Sequence, residues 1–318
     1  MMAADRSRKE VASVLDQDTQ VNEGHNIGRP GVKWTRIWVL LVPLGLAGAA
    51  GPLRVERTIE TSANPLISLS NVTGRVTVKG WDKTQVHMVS TTASPQIEVD
   101  VEAFPPKGQA DKIHFTTHIL DSQMTGDKTT DYSLDVPLGS SVEIRNPEGS
   151  VQIQTLQGEA SVASVGGTIA VSDVAGHLDV RTIGGDIEMV RPSGRVEAHS
   201  ICGSLRLVSP TSSRVRAGTT SGKIFYEGDF LPDGNYELTD YSGDIEIVTP
   251  ASASFELSAR SARGKVITDA GISFTPKRHA AFRPPSGASS SFFGTHNEGK
   301  ANVDLRSFSG TIRVRRLP

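Results

Sequence analysis

Cysteine is almost absent. Cys202 is the single one in 318 residues, so no internal disulfide can form and the chain is not a disulfide-stapled secreted module. Aromatic residues are scarce at 5%, unusually few for a packed α/β enzyme. Charge of one sign is missing as well: the net charge is −2 and the basic residues are scattered. That removes any global electrostatic case for nucleic acid or an anionic surface, and no nucleic-acid partner is expected.

Familiar catalytic spacings are also missing. His114 and His118 are four residues apart, but in strand-like sequence and without the glutamate of the zinc-protease pair. "GGDIE" lacks the Asp that glycine-rich calcium repeats place in every copy. Cys202 precedes a glycine in "SICGS" and reads as a turn residue, with no base to activate it. No metal, cofactor or catalytic residue is expected.

Long apolar runs are limited to one. Ile37 to Leu53 is uncharged and mostly apolar, with Lys33 and Arg36 before it and Arg54 and Arg57 after it. Its length is at the lower limit for crossing a bilayer, and Trp34 and Trp38 suit an interface. Residues 1–33 are polar, of mixed charge and aperiodic, which reads as a disordered tail on the cytoplasmic side. Residues 34–53 are read as a transmembrane anchor. The competing reading is a signal peptide cleaved after the small residues Ala47-Gly48-Ala49. Either way the chain from about residue 54 onward is expected outside the cytoplasm, as a single-pass membrane protein or a secreted or periplasmic one.

What the sequence does have is glycine, 31 residues of it, and much of it is periodic. Gly149, Gly158, Gly167, Gly176, Gly185, Gly194 and Gly203 recur every nine residues. The residues two and four positions later are apolar, as in Val151/Ile153, Ile169/Val171, Ile187/Met189 and Leu205/Leu207. This alternation describes short strands with one buried face. Three positions before the glycine stands a small polar residue, Asn146, Thr155, Ser164, Asp173, Thr182 or Ser200, with Arg191 departing. Such a side chain is expected to bond the backbone two residues on and start a turn. The glycine itself supplies positive φ or a tight approach at the corner.

The same word returns around Gly74, Gly222, Gly243, Gly264 and Gly310, with Gly203, Gly222, Gly243 and Gly264 lying 19 to 21 residues apart and weaker copies between the later ones. Identical corners imply a chain that always turns the same way. The expected fold is therefore all-β, a β-solenoid of about 18–21 residues per coil over 54–318, with a less regular β region over 54–145. A β-sandwich of hairpins is the alternative. Residues 276–299, rich in Pro, Ser and Gly, read as an excursion loop carrying Phe282, Phe292 and Phe293. The irregular first third and this loop would cap the open edges of the stack.

"DYSLDVPLGSSVEI", the Gly-x-apolar-x-apolar ladder and "FFGTHNEGKANVDLRSFSGTIRV" resemble the bacterial putative-adhesin family of β-solenoid domains. The resemblance implies an extracytoplasmic domain, often behind a single membrane segment, with no shared catalytic residues.

Two nines per coil would place residues eighteen apart side by side on one outer face. His177 then neighbours Arg195, and Asp179 neighbours Glu197, giving a candidate ligand face of four residues. The two carboxylates would be about 5 Å apart, near the spacing of a retaining glycosidase. Three functions are thus expected to compete. The leading one is a non-enzymatic, membrane-anchored, adhesin-like protein that binds an envelope polysaccharide or a surface protein. The others are a carbohydrate-active enzyme using Asp179 and Glu197, and a self-assembling scaffold like the bactofilins.

Overall fold

The computed structural model describes residues 53–121, 125–269, 271–276 and 290–317. The expected tail 1–33, the apolar segment 34–53 except Leu53, and residues 277–289 of the loop, with Phe282, lie outside the described residues. Leu53 opens the first strand, so the chain enters sheet structure at the last residue of the apolar run. Every regular element among the described residues is a β-strand; none is a helix long and apolar enough to cross a membrane.

The regular part comprises β7 (Ser141–Arg145), β8 (Val151–Leu156), β9 (Ala160–Ala163), β10 (Ile169–Thr182), β11 (Ile187–Val190) and β12 (Ser193–Ser200). It continues through β13 (Leu205–Val208), β14 (Thr211–Thr219), β15 (Ile224–Glu227), β16 (Asn235–Asp240) and β17 (Ile245–Thr249). Consecutive strands do not form hairpins. They pass back and forth between two sheets, with β10 running through both, and each pairs in parallel with the strand one step back in its own sheet. Ile169 is opposite Ile187 and Ile187 opposite Leu205 in the first sheet, while Leu178 is opposite Val196 in the second. These partners are eighteen residues apart. The step lengthens to nineteen at Leu205/Ile224 and twenty-one at Ile224/Ile245, where the sequence period lengthens too. The antiparallel hairpins of a sandwich do not occur from β7 to β17.

The apolar residues two and four places after each glycine fill the space between the sheets. Ile153, Ile169, Leu178, Val180, Ile187, Val196 and Ile224 are all fully buried. Each inward residue stacks on its equivalent one rung away, and burying such a side chain contributes about 1.5–3 kcal/mol.

The corners are of two kinds, which the uniform nine-residue word conceals. At Gly167, Gly185, Gly203 and their equivalents, the residue three places earlier is buried and forms a polar column. It runs Asn71, Asn146, Ser164, Thr182, Ser200, Thr219, Asp240, Ser307, Ser261. Its hydroxyls accept from the glycine amide three residues on, as in Gly185 N–H to Thr182 Oγ1 (3.1 Å) and Gly203 N–H to Ser200 Oγ (2.8 Å). The expected bond two residues on is made by Ser164 Oγ to Gly166 O (2.8 Å) and by Asn71 Nδ2 to Thr73 O (3.1 Å), while Thr182, Ser200, Thr219, Ser261 and Ser307 instead close the whole corner at the glycine amide. At the alternate corners, Thr155, Asp173 and Arg191 instead adopt positive φ, and Asp173 and Arg191 form an ion pair across the rung (2.6 Å).

The rungs do not follow chain order at either end. β1 (Leu53–Ser70) and β2 (Val76–Trp81) precede β3 (Gln85–Thr92), β4 (Ile97–Phe104), β5 (Ala110–Ile119) and β6 (Thr130–Pro137). Yet residues 66–70 of β1 lie between β5 and β7, and β2 lies between β6 and β8. At the other end come β18 (Phe255–Ser261), β19 (Val266–Thr268), β20 (Thr275–Pro276), β21 (Ser290–His296), β22 (Ala301–Ser307) and β23 (Ile312–Arg316). Here β22 is inserted between β16 and β18, and β23 between β17 and β19. The expected simple succession of Gly243, Gly264 and Gly310 is thus corrected: Gly310 sits between the other two. Antiparallel strands finish the stack, β3 and β4 at the first end and β21 at the last. Phe292 packs on Phe274 there (5.0 Å between rings), which gives it the covering role expected for the loop.

One member of the polar column is out of character. Asp240 is 2% exposed, and among the described residues neither carboxylate oxygen makes a well-formed hydrogen bond. Burial pushes its carboxyl up to about 6, only partly offset by the nearby amides of Tyr241, Gly243 and Ser242. A carboxyl raised in the folded state binds its proton more tightly there than in the unfolded chain. Its penalty is absent in acid, grows as pH rises from about 4 to 6, and is complete above that. Two units correspond to a cost on the order of 3 kcal/mol at neutral pH. Asp240→Asn should therefore stabilise the protein by about 2–3 kcal/mol at pH 7.5, with the gain vanishing near pH 4. Urea midpoints at the two pH values check this; an equal gain at both would rule out the titration of Asp240 as its cause.

Candidate ligand-binding face

The outer face of the second sheet carries the four residues singled out from sequence, and the strand register brings them together. His177 is opposite Arg195 and Asp179 opposite Glu197 on neighbouring strands β10 and β12. Alternation within a strand turns these side chains outward, because Leu178, Val180, Val196 and Ala198 between them point into the core.

Each carboxylate already has a guanidinium two residues away on its own strand. Asp179 pairs with Arg181 (3.0 Å) and Glu197 accepts from Arg195 Nε (2.8 Å). The same arrangement recurs at Glu143 with Arg145 (3.1 Å) and Asp304 with Arg306. Arg216 on β14 instead bonds Glu237 on the next strand (3.1 Å). The result is a lattice of compensated charges running rung to rung. The hydrogen bond from Arg195, helped by the charges of Arg195, His177 and Arg216, holds the Glu197 carboxyl below the usual range. A glycosidase needs one carboxyl of its pair held protonated by a raised pKa. Glu197 is shifted the opposite way, and the face around it is a flat sheet surface.

His199, next to Arg181 in register, belongs to this face although no spacing rule singled it out. Burial, followed by the charge of Arg181, lowers its pKa, so its imidazole is neutral at neutral pH. It leans over Gly218, whose missing side chain makes the room (3.0 Å to a Cβ there). The eighteen-residue step from Arg181 reaches it, but its other neighbour Gly218, which makes its room, lies nineteen residues on.

Towards the last rungs the lattice changes. The column of His177, Arg195 and Arg214 continues as Asn235, Asn302 and Glu256. Together with Ser258, Asp304 and Phe293 they line an open depression of about 410 Å³. It lies on the side of the stack where β21 joins β18. Among the described residues no group of His, Cys, Asp or Glu is arranged to hold a metal, and Cys202 is exposed at a corner.

The chain is similar in structure to bacterial putative adhesins. One from Bacteroides fragilis matches at a TM-score of 0.42 and 12% identity, over 83% of this chain and 97% of its own. One from Parabacteroides merdae matches at 0.35 and 10%, over 84% and 97%. A putative cell adhesion protein from Clostridium sporogenes matches at 0.28 and 9%, over 84% and 100%. No protein-family model matches the sequence, and no curated protein does so either. Likeness at these scores carries no functional assignment, so function has to be argued from the chain's own surface.

Proposed function

We propose that residues 53–317 form a capped β-solenoid acting outside the cytoplasm as a non-enzymatic, adhesin-like binding protein, tethered by the apolar segment before it. The parallel register at steps of eighteen to twenty-one residues supports the solenoid. The outer charge lattice of the second sheet, which recurs from rung to rung, carries the binding reading. A face repeating every rung, about 4.8 Å apart, suits a polymer whose own units repeat, such as an envelope polysaccharide. Paired carboxylates and a flat surface favour holding such a polymer over cutting it. The antiparallel caps at both ends work against open-ended stacking of copies, so the scaffold reading has less support.

The full-length protein should be retained on insoluble envelope polysaccharide or peptidoglycan, and release no reducing sugar. Asp179→Ala/Glu197→Ala should weaken retention about tenfold, because it leaves Arg181 and Arg195 unpaired and breaks the lattice at its centre. In intact cells, added protease should cleave within 53–317. Sugar release dependent on both carboxylates would make the protein an enzyme. Protection of 53–317 that persists once the outer envelope is opened to protease would place it in the cytoplasm.

A further inference from the structure

At the depression near the last rungs one column of the outer face changes from charged to neutral groups, and the change is chemically specific. Asn235 and Asn302 are opposite one another on β16 and β22. Both are exposed, and neither carboxamide makes a hydrogen bond within the described residues. Arg214, the preceding member of their column, is a cation. The switch from charged to neutral groups therefore happens within one strand step.

Two carboxamides one strand spacing apart offer donors and acceptors together, at about 4.8 Å. A neutral amide loses less on desolvation than an ion, so it can exchange water for ligand hydroxyls at small cost. The floor is completed by the small side chain of Ser258, which is opposite Asp304. Phe293 borders the row from the antiparallel strand β21, where it is opposite Ser258. Arg260 packs on its ring at 5.0 Å and fixes its position. The depression thus joins a polar floor to one aromatic ring, in a volume of about 410 Å³, within the ~300–1,000 Å³ typical of small-molecule sites.

The lining selects among ligands. It contains Glu256 and Asp304 but no lysine or arginine, so a phosphate, sulfate or carboxylate group would meet no cation in it. One ring without an enclosed apolar pocket is too little to anchor a hydrophobic peptide side chain. A neutral polyol with an apolar ring face fits both constraints. We propose that this depression is a subsite for a neutral saccharide unit, its hydroxyls bridging Asn235 and Asn302 and its C–H face against Phe293.

The proposal rests on the adhesive reading above and adds to it where on the face a sugar ring is gripped. Its test is saturation-transfer NMR of the full-length protein with maltotriose, cellotriose and chitotriose. At least one should bind saturably with a Kd of about 0.1–1 mM, the strength of a single shallow subsite (roughly −4 to −5.5 kcal/mol). Asn235→Ala/Asn302→Ala should weaken that binding at least tenfold, and Phe293→Ala similarly, with no change in urea midpoint for the exposed asparagine pair. Glu188→Ala on the opposite sheet should bind as the unmodified protein does. Binding unchanged in the asparagine variant, or no saturable binding to any of the three, would overturn the subsite. Retention on whole polymer separates the two ideas. If the unmodified protein is retained but oligosaccharide binding is unchanged in the asparagine variant, the adhesive reading stands and this subsite falls; if the unmodified protein is not retained, the adhesive reading itself falls.

Discussion

Replacing Gly185 with alanine is expected to cost about 3 kcal/mol of stability or more, while Gly184→Ala, one residue earlier, changes stability by no more than about 0.5 kcal/mol. The corner glycines form a continuous column in the order Gly74, Gly149, Gly167, Gly185, Gly203, Gly222, Gly243, Gly310, Gly264. A Cβ on each member after the first would fall well inside 3.0 Å of the carbonyl oxygen of the member before it. Gly185 makes the cleanest test because its φ is not among the positive ones. Any loss there is steric, not conformational. Neither party can step aside: Gly167 O belongs to backbone, and the Gly185 amide is already bonded to Thr182 Oγ1. Separating the rungs would strain the parallel pairs on both sides. Gly184 points away from the stack, with nothing nearer a Cβ than Val165 O at 3.5 Å. Urea unfolding of the two variants checks the pair. Equal midpoints would mean that close approach is not why glycine stands at the corner.

That column explains why half of the architecture was legible in the sequence. The requirement for glycine is imposed by the rung before, so it repeats with the rung at eighteen residues, and the second column at the alternate corners, Gly158, Gly176 and Gly194, halves that to the period of nine seen along the chain. The inward pairs such as Ile187/Met189 print the second signal, and together they gave the sheet faces and the register of Asp179 against Glu197. Two things left no trace in a one-dimensional period. The first was that alternate corners differ. Leu156 and Val174 are buried two places before Gly158 and Gly176, whereas Val165, two places before Gly167, is 37% exposed. All three are apolar, and only the turn geometry decides which way each points. The second was the order of the rungs. Glu237 and Asp304 are opposite each other yet 67 residues apart, because the last strands return to a gap left earlier. No local spacing connects Asn235 with Asn302 for the same reason, so the depression was invisible while the Asp179/Glu197 face was not.

Ending the chain after Lys300 should abolish the folded state of the whole last part of the stack, from β16 onward, instead of trimming a terminal rung. In a stack ordered by sequence, loss of the last strands would leave everything before them intact, since each rung contacts only its neighbours. Here β22 and β23 are interior. Their removal takes Val303, Leu305, Ile312 and Val314 out of the core, all at most 2% exposed, which amounts to about 6–12 kcal/mol of lost burial. That is comparable to the entire stability of an ordinary domain. It also parts β16 from β18 and β17 from β19, exposing Tyr236, Leu238, Ile245 and Ile247 on one side and Phe255 and Leu257 on the other. The chain before β14 makes no pairing with the lost strands, so its amides should stay protected. Hydrogen exchange on the truncated protein would therefore show protection retained over 141–208 and lost over 235–268. Protection preserved over 255–261 would mean that the outer rung stands without the inserted one, and that the last strands lie at an edge after all.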